Sequence, residues 1–246
     1  MNTQKEPKIQ DSTLLLFVAA AGLMAVFTIF TLLVLIVDVG GIGPYGARVG
    51  FSTLNGSVRD AIGWSRDWYA VSEWLGLLAI LTVACFAGLG VWQMIRRKSL
   101  LKVDAAIWLL GGLYVLMAGA YLLFEVMVVN QRPILIDGVL EASYPSSHTM
   151  LVCTVMGSAI FAVRQIFSAK AVRVTVTAVA SVVMLATVVT RLLSGVHWLT
   201  DIIGGVLLAA FLVSVYVTVL AAVKDLHRDS AKEDPQETPQ APETNG

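Results

Sequence analysis

Two of the three histidines sit in polar clusters whose spacing suits phosphoryl chemistry. His197 and Asp201 are four residues apart, which puts them on one helix face. A carboxylate placed there accepts the imidazole Nδ1–H and leaves Nε2 free as a nucleophile or base. The same pair also suits a buried ion pair that merely steadies a helix start. Pro145-Ser146-Ser147-His148 opens an apolar run. A helix amino terminus there offers unpaired amides and the positive end of the dipole to an anion, although Ser is equally an ordinary helix cap. His148 in the first turn is a poorly placed cation unless an anion lies beside it. A proton donor next to a bound phosphate is what an ester leaving group requires. Arg132 and Arg191 supply planar forks for phosphoryl oxygens. Either alone reads as an anchor to lipid head groups; the whole set converging on one face points to chemistry.

The elements that must position these groups are membrane helices. Of the 246 residues, 57% are hydrophobic and only 14% charged, and the mean hydropathy is +0.78. Soluble domains carry about 25% charged residues. Six runs reach the roughly 20 residues a spanning helix needs: Leu14–Val37, Val71–Ile95, Ala105–Met127, Thr149–Phe167, Val174–Leu193 and Leu199–Val223. They are too continuously apolar for barrel strands, so the predicted fold is all-α, a six-transmembrane-helix bundle. The first run is longer than the core of a cleavable signal and reads as an anchor.

Twelve of the seventeen Lys and Arg residues fall in the segments that share a side with the amino terminus. The other five are Arg48, Arg59, Arg66, Arg132 and Arg191. By the positive-inside bias both termini are cytoplasmic, and all three polar clusters lie on the extracytoplasmic face. The long outer segment Asp38 to Ala70 begins Gly-rich, and Ser57–Tyr69 suits a short interfacial helix. That stretch reads as an aromatic belt or as the rim of a lipid path. Three units follow: a cytoplasmic segment 1–13, the membrane domain 14–223, and a Pro- and Glu-rich tail 224–246 expected to be disordered. Zero net charge excludes a basic field for nucleic acid. Cys85 and Cys153 lie in apolar runs, and no metal-ligand cluster is visible.

The motif order resembles the type-2 phosphatidic acid phosphatase superfamily, whose members carry Lys, six residues, Arg-Pro; then Pro-Ser-Gly-His; then Ser-Arg, five residues, His, three residues, Asp. This chain has Arg132-Pro133, Pro145-Ser146-Ser147-His148, and Thr190-Arg191, five residues, His197, three residues, Asp201. The resemblance implies that His197 forms a phosphohistidine, that Asp201 orients it, and that His148 protonates the leaving group and then activates water. It implies that Arg132, Ser146, Ser147 and Arg191 hold the phosphoryl oxygens, and that neither metal nor cofactor is used. Ser147 replaces the motif Gly and Thr190 the motif Ser. Glu125 stands where the family has Lys, and it is expected to pair with Arg132 or Arg191, because a charge in this setting seeks a partner.

The expected activity is metal-independent hydrolysis of a lipid phosphomonoester or pyrophosphate in a bacterial plasma membrane. Undecaprenyl diphosphate, phosphatidic acid and phosphatidylglycerol phosphate all satisfy the motifs, which read phosphate and not the tail. The partners implied are the lipid phosphate and the bilayer, with no nucleic acid and no obligate protein partner evident. The alternatives are a lipid phosphotransferase, which passes the phosphate from His197 to a lipid acceptor, or a lipid-binding or transport protein of the same fold, for which Glu125 is the argument. Transporters usually show repeated halves or broken helices, and neither is evident.

Overall fold

Long apolar segments with no partner for their amides except themselves must be helical in lipid. The computed structural model describes residues 10–233, with side chains through 228. Among them are seven α-helices: α1 (Asp11–Ile36), α2 (Ser52–Ile62), α3 (Arg66–Arg97), α4 (Ala105–Met127), α5 (Ser147–Ile166), α6 (Lys170–Ser194) and α7 (Leu199–Glu233). All but α2 are long and apolar enough to cross a membrane. The protein is a multi-pass membrane protein, and the six expected spans are present, one with its bounds unchanged and the others longer or shifted at one or both ends.

Helix α5 is the axis of the bundle. Two thirds of its most apolar stretch is buried (67%), against a third or less for every other span. It packs against α3, α4, α6 and α7, while α1 packs on α7. Its sequence explains the position. Gly157, Ser158, Ala159 and Ala162 let neighbouring helices approach closely, as small residues do in membranes. The Ser158 hydroxyl satisfies itself by donating to the Val155 carbonyl. The outer helices instead present large side chains such as Trp74, Leu122, Val182 and Leu185 outward, where lipid covers them.

Two expectations are corrected. The segment Asp38 to Ala70 is not one loop with a helix over Ser57–Tyr69. It holds a short antiparallel ribbon (Gly40–Gly41 with Arg48–Val49), then α2, and α3 already begins at Arg66. Gly63, with φ +73, ends α2, and Ser65 caps α3 through a bond from the Trp68 amide. The last helix runs to Glu233, so residues 224–233, expected in the tail, are helical. Its extension is anchored where Asp225 accepts bonds from the Thr13 hydroxyl and the Gln10 amide. The amino-terminal segment 1–9 and the tail 234–246 lie outside the described residues.

Alternating spans bring the start of α3, the end of α4, the start of α5, the end of α6 and the start of α7 to one end of the bundle. Irregular chain locks that end. Asn55 of α2 donates to the Gly50 carbonyl and the Thr200 hydroxyl and accepts from the Thr200 amide. Trp198 Nε1 donates to the Gln131 carbonyl. The Ser65 amide donates to the Ser194 carbonyl, beside the turn from α6 to α7. Gly195 makes that turn with φ +66, and a Cβ there would lie 2.0 Å from the Gly63 carbonyl oxygen. Gly195→Ala should therefore cost more than about 1 kcal/mol, because the new methyl meets both a disfavoured backbone region and main-chain atoms. A thermal melt of the detergent-solubilised variant checks this, and an unchanged midpoint would show that the turn relaxes freely.

Candidate active site

A buried imidazole, two guanidiniums and a buried carboxylate meet at the locked end. His197 sits in the α6–α7 turn, two residues ahead of α7, and not on the helix itself. It is 4% exposed, and Arg191 and Asp201 are 1% and 0%. Arg191 Nη2 lies 3.1 Å from His197 Nε2, and Arg132 Nη1 lies 3.4 Å from the same atom. A guanidinium only donates, so His197 Nε2 is the acceptor and the ring proton is on Nδ1. The Nδ1 atom lies 3.6 Å from Asp201 Oδ2, longer than a hydrogen bond but close enough for the carboxylate to set the tautomer electrostatically. Burial holds the pKa of His197 well below the ordinary imidazole value. The charges of Arg191 and Arg132 push it the same way, and a main-chain bond with Ser143 opposes them. The result is a neutral ring with its Nε2 lone pair facing two cations.

Asp201 is held from three directions. Its carboxylate accepts from Asn130 Nδ2 (3.0 Å) and from the Trp198 amide (2.9 Å), and its carbonyl accepts from the Ser146 amide (2.9 Å). The carboxylate thus caps the first turn of α7 and ties the loop after α4 to the start of α5. Gly204 and Gly205, on the same helix, permit this closeness. A Cβ at Gly204 would lie 2.6 Å from the Tyr144 ring, and one at Gly205 would lie 2.9 Å from the Ser146 carbonyl oxygen.

The other expected residues fall in the same place, with differences. Ser146 is fully buried, and its hydroxyl caps α5 by accepting from the Thr149 amide and hydroxyl. Only its own O–H remains to meet an anion. Ser147 is half-buried at the first position of α5. His148 is turned toward α3, where its Nε2 lies 3.1 Å from Glu73 Oε1. Its ring rests on Gly76, where a Cβ would stand 2.9 Å from Cδ2 and 3.1 Å from Nε2.

The arginines do not pair with Glu125. Arg191 pairs with Glu73 (Nη1–Oε1, 3.0 Å), and its Nη1 also donates to the Ser72 hydroxyl at 2.9 Å. The Tyr69 ring lies 5.5 Å away and adds a cation–π contact. Arg132 pairs with Glu141 (Nε–Oε2, 3.0 Å). Glu125 is exposed on the last turn of α4 beside Tyr121. It lines a narrow cleft shared with His197, Ser147 and Tyr144. The α3 residues Ser72 and Glu73 supply what Glu125 was expected to supply, because α3 reaches the site end and packs against α6. Glu73 carried a signal in the sequence: it is the only charge in the run Val71–Ile95. Glu141 and Asn130 carried none. No group of three or more His, Cys, Asp or Glu residues that could hold a metal occurs among the described residues.

Residues 127–225, which contain all seven expected site residues, match the family model of the PAP2 superfamily. That match spans the segment from the end of α4 into α7, and the family likeness is a property of that segment. Among solved structures, it is similar to a crystal structure described as that of the first transmembrane PAP2 type phosphatidylglycerolphosphate phosphatase from Bacillus subtilis. The TM-score is 0.57 at 17% identity, over 83% of this chain and 96% of that one. At that identity the likeness is one of fold. No curated protein matches the chain. Together the two findings give a PAP2-like segment at residues 127–225 within a transmembrane fold whose likeness extends over most of the chain.

The contact of His148 with Gly76 generates a test of this geometry. Gly76→Ala should lower kcat at least tenfold while the thermal midpoint holds within a few degrees, because the added methyl displaces a ring and touches no main chain. Full activity in that variant would show that the His148 position is not needed.

Proposed function

We propose that the protein hydrolyses a lipid phosphomonoester or diphosphate through a phosphohistidine on His197. The observation that carries this reading is the convergence of Arg191 and Arg132 on His197 Nε2, at 3.1 and 3.4 Å. Two fixed cations around a neutral, unprotonated nitrogen are the arrangement a phosphoryl group needs: charge for its oxygens and a lone pair for its phosphorus. Arg191 Nε is in addition a buried donor without a partner, a group that folding leaves unpaired only at a cost.

The steps follow from the geometry. The phosphoryl oxygens take over the guanidinium N–H groups, which frees Nε2. Its lone pair forms the N–P bond as the P–O bond to the lipid breaks. His148, entering the step as imidazolium, gives its Nε2 proton to the departing oxygen and is left neutral with its proton on Nδ1. The phosphorylated ring is cationic while Nδ1 keeps its proton, and the buried Asp201 carboxylate offsets that charge. His148 then accepts a proton from water as the water oxygen attacks phosphorus. The N–P bond breaks, inorganic phosphate leaves, and His197 is neutral again. The Ser147 amide, at the amino terminus of α5, is the remaining candidate donor to the phosphoryl oxygens.

A lipid substrate fits the surroundings. An apolar groove lined by Leu78, Phe86, Met156, Val163 and Val179 runs between α3, α5 and α6, the helices that carry Glu73, His148 and Arg191. We place the site on the extracytoplasmic side of a bacterial plasma membrane, on the strength of the Lys and Arg distribution. The candidate substrates are the same three, undecaprenyl diphosphate, phosphatidic acid and phosphatidylglycerol phosphate, the last of which is the one named for the Bacillus subtilis protein of like fold.

Purified protein in EDTA should release phosphate from at least one of these three lipids, and His197→Ala should reduce the rate by at least 10³-fold, the scale expected when a covalent nucleophile is lost. Substantial turnover by His197→Ala would refute the assignment. A second expectation concerns pH. The folded pKa of His197 is depressed, so the ring loses its lone pair only when pH falls through that lower value, and not at the ordinary 6.5. Rapid-quench trapping at pH 5.5 should still yield phosphohistidine; a labelling midpoint at 6.5 would show that the ring titrates as if in water.

A further inference from the structure

We propose that Glu73 is an internal competitor for the phosphoryl oxygens, whose carboxylate holds the place a substrate oxygen takes between Arg191 and His148. The inference rests on the reading of those two residues as phosphate ligand and proton donor. A single oxygen, Glu73 Oε1, lies 3.0 Å from Arg191 Nη1 and 3.1 Å from His148 Nε2. These are the two donors that the transferred group and its leaving oxygen require. A carboxylate only accepts, so His148 Nε2 carries the proton and spends it on Glu73. One N–H cannot serve Glu73 and a leaving oxygen at full strength, so catalysis requires Glu73 to withdraw.

The surroundings are built for that withdrawal. The Arg191 side chain is 1% exposed and fixed, while that of Glu73 is 42% exposed and has room to swing. When the carboxylate leaves, Arg191 is not stranded, because Ser72 Oγ still accepts from Nη1 at 2.9 Å and the Tyr69 ring still faces the guanidinium. Gly76, one turn along α3, keeps space for the His148 ring whether or not Glu73 is bound. Arg132 shows the same device in weaker form, since Glu141 is also 42% exposed.

The consequence is selectivity by anchorage. Inorganic phosphate must displace Glu73 with nothing but its own contacts. A lipid phosphate brings the binding energy of its tail to the same exchange, and that energy offsets the displacement. The Glu73 carboxylate therefore weakens binding of the product and of soluble phosphates more than it weakens turnover of a membrane-held substrate.

The test compares binding of inorganic phosphate and orthovanadate to the full-length, detergent-solubilised wild type and Glu73→Gln, by calorimetry, with KM and kcat on a lipid phosphate measured alongside. The neutral amide should lower the dissociation constant of both anions about tenfold or more and lower KM, without raising kcat. Unchanged or weaker anion binding overturns the proposal. So does a collapse of kcat at constant anion affinity, which would make Glu73 a positioning residue for His148. If Glu73→Gln does not fold, Glu73→Asp carries the test, because the shorter arm withdraws the oxygen from both donors and should also tighten anion binding. Wild-type protein that binds phosphate yet releases none from any lipid would sink the proposed function. This inference would then still stand or fall on the anion affinities.

Discussion

The buried carboxylate of Asp201 is the constraint on which the rest of the site depends. A fully enclosed charge is tolerable only if its lone pairs are met, and here the carboxylate is met by Asn130 and the Trp198 amide, while the main-chain carbonyl of the same residue holds a third stretch of chain. Asn130 brings in the loop after α4, and the Trp198 amide fixes the turn that carries His197. The Asp201 carbonyl takes the Ser146 amide and so sets where α5 begins. The same Asn130 accepts from the Gly50 amide, which extends the network to the segment before α2. Residues far apart in sequence are thereby fixed to one another without any of them needing to touch a substrate.

The second constraint is the balance of charge around Arg191. A guanidinium buried at the end of a membrane helix needs an anion or a set of acceptors. It finds Glu73, Ser72 and the imidazole of His197. Arg132 finds Glu141. Each cation is thus neutralised by a carboxylate that is itself half in solvent, while the two cations share the one nitrogen between them. Buried cations paired with half-exposed anions balance the charge of the site while leaving the carboxylates within reach of solvent.

Much of this was legible in the sequence, and the reasons differ by element. The six spans were readable because lipid enforces length and apolarity, and α4 came out residue for residue, Ala105–Met127. The convergence of Arg132, His148 and Arg191 followed from counting spans, since alternation alone sends those segments to one end. The partners of the arginines were not legible. Local spacing pointed to Glu125, but which helix faces which is set by packing, and α3 lies against α6 where α4 does not. The break at Gly63 between α2 and α3 was also hidden, because Ser57–Tyr69 keeps an amphipathic pattern across it. The expectation that His197 and Asp201 share a helix face missed the turn. His197 precedes α7, and the carboxylate reaches back to cap it.

That last difference bears on the chemistry. A histidine within a helix would be carried by the regular ladder and aimed by its rotamer alone. In a turn, its ring is placed by Gly195 behind it, by the Trp198 amide held on Asp201, and by the packing of Gly63 against the turn. The ring can then sit with Nδ1 toward the acidic interior and Nε2 toward the arginines. A neutral imidazole in a polarised field of this kind has its proton on the far side and its lone pair on the near side, before any phosphate arrives. The fold thus selects one tautomer of His197, with the proton on Nδ1 and the Nε2 lone pair turned to both arginines, and that is the tautomer the proposed reaction would use.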